Sequence, residues 1–230
     1  MQSRPGIILQ ARLASTRLPG KALERIGSRS VLEHCLTRLM HNQDAAVVLA
    51  TTTRSEDDAL DEVAERLGVP VFRGDCDDVL GRYVAAASEY RLDPIIRATG
   101  DNPVVDMDAA WRVLRAMEDT GADYVCEHGL PLGAAVEGVT YAALRRADIA
   151  ADQPYDREHV TPYVKHSRHA FATLLRPAPR SLFKPELRLT VDTREDLEYV
   201  RSLFSELETE TPTLRRVIEA SGLEARREVA

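Results

Sequence analysis

Arg12, Arg17 and Lys21 stand in one segment, Gln10 to Lys21, together with the hydroxyls of Ser15 and Thr16 and the backbone at Ala11 and Gly20. Cationic side chains, hydroxyls and a glycine in one loop make a local anion trap. A triphosphate is a natural guest, because exposed backbone N–H groups add to the charged side chains. The same residues would also suit a solvated loop whose basic groups pair with surface carboxylates, and spacing alone does not separate the two readings. A P-loop is excluded. That motif needs Gly five residues before the Gly-Lys pair and Ser or Thr after the lysine, whereas Ser15 and Ala22 stand there.

Asp101 follows an apolar stretch in the run Thr99-Gly100-Asp101-Asn102-Pro103. Gly100 permits a sharp turn and Pro103 stops the strand, so the Asp101 carboxylate is expected to face a crevice. Asp192 follows a later apolar stretch and precedes a helix. Such a pair offers hard oxygen ligands to Mg²⁺, which takes few protein ligands and completes its shell with water and phosphate oxygens. Taken alone, Asp192 reads better as a helix cap, with Thr193 as the competing cap.

Arg73, Asp78 and Arg82 fall at the end of one expected strand and along the next helix, where polar groups could read a nucleobase edge. Equally, Asp78 could be a first-turn helix residue with Arg82 as its i,i+4 partner. Tyr155, Asp156, Arg157, Glu158 and His159 form a dense polar cluster ahead of Thr161-Pro162. Glu137, between apolar neighbours, either faces the crevice or lies on the polar face of an edge strand.

These groups need a scaffold to bring them together. Ile7 to Leu9 reads as a buried strand, and Ser30 with Glu33 as a capping box opening a helix over Val31 to Met40. Ala46 to Thr51 is a second strand. Ser55 is expected to cap a helix stopped by Gly68, Val69 to Phe72 to be a third strand, Asp78 to Tyr90 a third helix and Pro94 to Ala98 a fourth strand. Asp106 is expected to cap a helix ending near Gly121, before a strand at Tyr124 and Val125. Later expectations are strands over Ala134 to Val139 and Leu187 to Val191, an amphipathic helix carrying Leu197, Val200, Leu203, Phe204 and Leu207, and a last short helix begun by Thr211-Pro212. The final residues, Glu224 to Ala230, are expected to fray. Repeated strand–helix alternation predicts an α/β fold with a mixed, mostly parallel sheet flanked by helices.

With 230 residues, 44% of them hydrophobic, the chain has the size and composition of one α/β domain. It divides into a nucleotide-binding half (1–126), an acceptor, dimerisation and metal half (127–210), and a C-terminal helix and tail (211–230). The net charge of −7 argues against a general nucleic-acid surface. No apolar run has the length of a signal-peptide core or a membrane span, so a cytoplasmic location without membrane association is expected. Cys35, Cys76 and Cys126 are widely separated and lack metal-ligand spacing, so they read as buried thiols.

The run IILQARLASTRLPGKAL resembles the nucleotide-binding signature of sugar-activating cytidylyltransferases, which include the 3-deoxy-manno-octulosonate and acylneuraminate enzymes. The nearest likeness is to the spore-coat polysaccharide biosynthesis protein F branch. It extends in order through VFRGDCDDVLGRY, RATGDNPVVD, PYDREHVTPYV and LRLTVDTREDLEYV. The resemblance implies a Rossmann-like nucleotide-diphospho-sugar transferase fold of GT-A type. It also implies Mg²⁺-dependent transfer of CMP from CTP to a sugar-like acceptor, with Mn²⁺ as the alternative ion and pyrophosphate as the second product. Its metal-binding aspartates align with Asp101 and Asp192, and Arg194 stands where the family often has proline. Arg12 and Lys21 join them as expected catalytic residues. Gln10, Ala11, Ser15, Thr16, Gly20, Arg73, Asp78, Arg82, Thr99 and Gly100 are expected on the nucleotide, and Glu137, Arg157, Glu158 and His159 on the acceptor. Asp75-Cys76-Asp77 imitates the Asp-x-Asp of metal-dependent glycosyltransferases but aligns as loop plus helix cap. Pairing as a homodimer is a further implication. Competing readings are a glycosyltransferase of related fold and a nucleotide-sensing module without turnover.

Overall fold

In the computed structural model the chain runs β1 (Arg4–Gln10), β2 (Arg25–Ile26), β3 (Arg29–Ser30), α1 (Val31–Leu39), β4 (Ala46–Thr52), α2 (Asp58–Arg66), β5 (Val71–Gly74), α3 (Val79–Tyr90), β6 (Leu92–Thr99), α4 (Ala109–Thr120), β7 (Tyr124–His128) and β8 (Glu137–Val139). It continues through α5 (Tyr141–Ala150), α6 (Pro154–His159), α7 (Pro162–His166), β9 (Thr173–Pro177), α8 (Arg194–Leu207) and α9 (Leu214–Arg227). The structure describes residues 3–41 and 43–227, with side chains as far as residue 222.

Ile7, Ile8 and Leu9 are fully buried. Alternate side chains of a strand leave opposite faces, so this run requires both faces of the sheet to be covered. Ile7 and Leu9 join the helices α1, α2, α4, α8 and α9 in one apolar cluster, while Ile8 joins α3, α5 and α7 in a second on the other face. The seven-stranded sheet has the order β5-β4-β1-β6-β8-β7-β9. β1 pairs in parallel with both β4 and β6, and β8 runs antiparallel to β6 and β7. The chain leaves β1 in one direction across the sheet and returns to its other side at β6. That reversal opens a crevice at the carboxyl ends of β1 and β6, the place where open α/β sheets bind ligands.

Several elements differ from the sequence expectation. Ser55 opens a 3₁₀ turn, Ser55–Asp57, and Asp57 precedes α2 in the position Ser55 was expected to hold. The third strand is Val71–Gly74, shifted from Val69 to Phe72, since the turn at Gly68 (φ 69°) consumes the first residues. Asp106 does not cap α4. Asp108 holds that position, and Asp106 instead ion-pairs with Arg112 at 2.6 Å. Within 134–139 only Glu137–Val139 is strand. Leu187 to Val191 is extended but lies outside the sheet, bridging only to Leu132, because its backbone bonds go to the loops at Leu132 and Asp101. α9 starts after Thr213, whose hydroxyl accepts from Arg216 N, and is long where a short helix opening at Thr211-Pro212 was expected. The expected fraying falls on residues that are helical through Arg227, with 228–230 outside the described residues. β9 and the helices α5 to α7 were not anticipated.

Candidate active site

The segment after β1 is shaped by its own backbone and by one distant carboxylate. Ser15 N and Gly20 N both donate to Leu13 O, at 2.8 and 3.0 Å, folding the loop back on itself. Leu13 N donates to Asp57 Oδ1 at 2.7 Å, and Thr52 Oγ1 donates to the other oxygen of the same carboxylate. Gly20 takes φ 72°, which a side chain would resist, and starts the 3₁₀ turn Lys21–Leu23. Gly100 N donates to Gln10 O at 2.8 Å, and a Cβ there would sit 2.8 Å from Ala11 Cβ. The glycine therefore lets the two strand exits touch.

Between these exits lies a cleft of about 340 Å³. Gln10, Ala11, Arg12, Ser15, Thr16, Arg17 and Lys21 line it from the β1 side, and Thr99, Gly100 and Asp101 from β6. Arg82, Arg97, Glu158, His159 and Asp192 complete its wall. Sequence positions scattered across most of the chain thus converge.

At the floor, Lys21 Nζ lies 3.0 Å from Asp101 Oδ2 and 2.9 Å from Asp192 Oδ1. Thr99 Oγ1 donates to Asp101 Oδ1 at 2.7 Å and in turn accepts from Asn102 Nδ2. Asp192 is also met by Arg17 at 2.9 Å and Arg188 at 2.7 Å. Burial pushes the Asp192 carboxyl upward, but the hydrogen bond and charge of Lys21, with Arg188 and Arg17, hold it below the usual carboxylate value. Asp192 is not the helix cap: Thr193 caps α8 in a reciprocal box with Asp196. The segment carrying Asp192 is tied to the Asp101 turn through Val191 N to Asp101 O at 2.8 Å, and Gly133 permits its approach, since a Cβ there would lie 2.6 Å from Thr190 N.

Arg12 spans the opposite wall, donating to Cys76 O at 3.1 Å and Glu158 Oε1 at 2.7 Å. Arg82 donates to Asp75 O at 2.6 Å, and burial lowers its pKa. Asp75 itself accepts from the backbones of Asp77 and Asp78, confirming a turn ahead of a cap rather than a metal motif. His159 stacks at a tilt on Tyr155, ring centroids 4.4 Å apart.

Other expected site residues are not brought to the cleft. Arg73 turns to Thr52 O, Arg54 O, Asp58 and Asp61, an ion-paired cluster away from the cavity. Asp78 caps α3 by accepting from Gly81 N and pairs with Arg157, and Arg157 also binds Asp148. The expected i,i+4 pairing of Asp78 with Arg82 does not form. Glu137 lies behind the cleft wall, bound by Arg97 at 2.9 Å, Tyr124 Oη at 2.8 Å, Thr161 Oγ1 at 2.8 Å and Lys165. Burial would raise its pKa, yet Arg97 and Lys165 draw it down to about 2.

The carboxylate pair passes a test for a divalent cation. A single ammonium reaches both carboxylates, so the two lie within reach of one positive charge. Among the described residues no group of three or more His, Cys, Asp or Glu converges as a metal cage. A site with two carboxylates suits a hard ion that keeps water and takes phosphate oxygens, such as Mg²⁺.

Residues 6–221, which include every group of this cleft, match the family model described as cytidylyltransferase. The chain belongs to the cytidylyltransferase family. The spore coat polysaccharide biosynthesis protein SpsF of Bacillus subtilis is similar at 36% identity over 86% of this chain and 85% of its own length. An uncharacterized protein of Methanocaldococcus jannaschii is 35% identical over 92% of this chain and 88% of its own. Among solved structures, a cytidylyltransferase from Leptospira borgpetersenii superposes with a TM-score of 0.89 at 31% identity, over 98% of this chain and 96% of that one. The family resemblance and the Rossmann-like nucleotidyltransferase fold expected from the sequence both stand. No helix among the described residues of this cytidylyltransferase is long and apolar enough to cross a membrane.

Sequence reasoning passed over Asp57, Arg97 and Arg188. Asp57 had a visible signal only as an acidic residue near a helix start. Arg97 precedes the TGDNP run by one turn of strand alternation and could have been found by following Thr99 back along the same face.

Proposed function

We propose that this cytidylyltransferase transfers CMP from CTP to an oxygen of an acidic sugar or sugar-like acceptor and releases pyrophosphate, in a reaction that depends on Mg²⁺ or, alternatively, Mn²⁺. The observation that carries the proposal is the meeting of Asp101 and Asp192 at the Lys21 ammonium, at the floor of a cleft walled by Arg12, Arg17 and the β1 loop.

The acceptor oxygen forms a bond to the α-phosphorus while the bond from that phosphorus to the α,β-bridging oxygen breaks. The acceptor hydroxyl proton passes to solvent, and the electron pair leaves on pyrophosphate. Lys21, Arg12 and Arg17 neutralise the triphosphate and the charge that grows on the leaving group. Backbone N–H groups and the hydroxyls of Ser15 and Thr16 orient the phosphate chain. Asp101 and Asp192 would hold the divalent ion, which when bound supplies charge to polarise the phosphate oxygens. Thr99 and Arg188 keep the two carboxylates oriented. No covalent nucleophile is needed, since positioning and electrostatics account for such a transfer.

Calorimetric titration with CTP, UTP, ATP and GTP tests the nucleotide assignment. Tightest binding by CTP is expected, and equal or weaker binding of CTP than of a purine nucleotide would overturn it. Product analysis separates the related glycosyltransferase reading, which requires a nucleotide sugar as donor and yields a nucleoside mono- or diphosphate.

A further inference from the structure

Arg97 stands on β6 two residues before Thr99, in register with Glu137 on β8. Its Nη1 donates to Glu137 Oε2 at 2.9 Å, while its Nε is buried without a partner and the side chain lines the cleft. A buried N–H of a charged group left without an acceptor carries an uncompensated desolvation cost, so its retention needs a reason. The surrounding charge gives one. Glu137 faces both Arg97 and Lys165, and its remaining contacts are the hydroxyls of Tyr124 and Thr161, so two cations share one carboxylate. The cluster carries a surplus positive charge at a partly dry cleft wall.

A second feature converges on the same cluster. Val160 takes φ 73° and ψ −56°, with Thr161 N donating to His159 O at 2.9 Å, a γ-turn that a β-branched residue adopts only under strain. The fully buried Val160 side chain anchors it. This turn aims His159 into the cleft on one side and brings the Thr161 hydroxyl onto Glu137 on the other. Backbone strain of this kind persists where surrounding structure enforces it for a purpose.

We infer that Arg97 is the specificity-determining cation for an anionic group of the acceptor, a carboxylate or a phosphate, and that Glu137 is its positioning residue rather than a substrate contact. The inference rests on the cleft being the transfer site proposed above. Lys21 meets Asp101 and Asp192 at the cleft floor, whereas the Arg97 guanidinium is held on β6 by Glu137 of β8. In-line displacement puts the attacking and leaving oxygens on opposite sides of the α-phosphorus. A triphosphate held by the β1 loop therefore directs its pyrophosphate toward Lys21 and leaves the Arg97 side to the acceptor. A guanidinium presents paired N–H donors that match the oxygens of a carboxylate or phosphate.

The test uses the full chain loaded with Mg²⁺ and α,β-methylene CTP, which cannot be cleaved, titrated in a calorimeter with 3-deoxy-manno-octulosonate in one arm and glucose 1-phosphate in the other. The wild type is expected to bind one of these anions, and the arm that binds identifies the carboxylate or phosphate source. Arg97→Met should weaken that binding by about tenfold or more, Arg97→Lys by less, while affinity for the CTP analogue stays within about twofold. Glu137→Gln should weaken the anion by a smaller factor, and thermal melts report whether each variant is folded. Binding of neither anion by the wild type, unchanged anion binding in both folded Arg97 variants, or a parallel loss of analogue affinity overturns the inference. Anion binding that depends on Arg97 without pyrophosphate release from CTP would instead contradict the proposed reaction and leave the anion site standing.

Discussion

Asp101 and Asp192, far apart in the sequence, meet at one ammonium, with Lys21 Nζ 3.0 Å from the first and 2.9 Å from the second. The fold achieves this without a strand beneath Asp192. β6 delivers Asp101 by ending at Thr99, and the backbone bond from Val191 N to Asp101 O ties in the segment that carries Asp192. An ammonium between two carboxylates offsets their mutual repulsion.

Removing either carboxylate should therefore harm turnover more than folding. Asp101→Asn and Asp192→Asn are each expected to lower kcat by roughly 10² to 10³, a loss typical of deleting one electrostatic element of a transition state. Steady-state pyrophosphate release checks the rate, and circular dichroism melts check the fold.

Arg12 and Arg73 make opposite predictions although both looked like nucleotide contacts. Arg12→Ala should weaken CTP about tenfold or more, since a charged hydrogen bond is worth about 1.5 to 3 kcal/mol. Arg73→Ala should leave the CTP Kd within about twofold, because its guanidinium is engaged by Asp58, Asp61 and backbone carbonyls outside the cleft. Calorimetry on both variants gives the comparison.

Asp57 holds the β1 loop from a distance. Asp57→Ala strips Leu13 N and the Thr52 hydroxyl of their acceptor and should destabilise the protein by about 1 to 3 kcal/mol. Urea denaturation measures the loss. CTP affinity should fall as well, although Asp57 itself does not line the cleft, because the loop that carries Ser15 and Thr16 loses its tether.

Glu137 supplies a pH signature. Its carboxyl is held at about 2 against an ordinary value of 4.5, so its folded pKa is depressed and its stabilisation is complete above pH 4.5. That stabilisation is lost as pH falls from 4.5 toward 2. Glu137→Gln leaves Arg97 and Lys165 without a counter-charge and should cost on the order of 3 kcal/mol at neutral pH. The gap between the variant and the wild type should narrow on acidification through that window, which denaturant titrations at stepped pH would record.

The residues that could be read from sequence are those whose structure is local. Ser30 and Glu33 cap α1 within one turn, Gly100 and Pro103 end β6 within a few residues, and the Gln10 to Lys21 loop carries its cations together. What escaped depends on distant partners. Leu187 to Val191 has the apolar run of a strand, but its hydrogen bonds go to Leu132 and Asp101, and no local pattern encodes that choice. Arg73 stands at a strand end as expected, yet Asp58 and Asp61 on α2 decide where its side chain points. Glu137 was read as a residue between cleft and edge strand. Its true neighbours, Arg97, Tyr124, Thr161 and Lys165, come together only through the β6-β8-β7 pairing and the turn at Val160. The short helices α6 and α7, six and five residues long, lack the length over which helical periodicity becomes legible.

The most direct measurement of the central claim is pyrophosphate release from CTP with Mg²⁺ and a panel of acidic sugars, run on the wild type and on Asp101→Ala. The account predicts release in step with formation of a CMP-linked sugar by the wild type, and a fall of about 10² or more in the variant. No release with any acceptor, or release by Asp101→Ala at the wild-type rate, would contradict it.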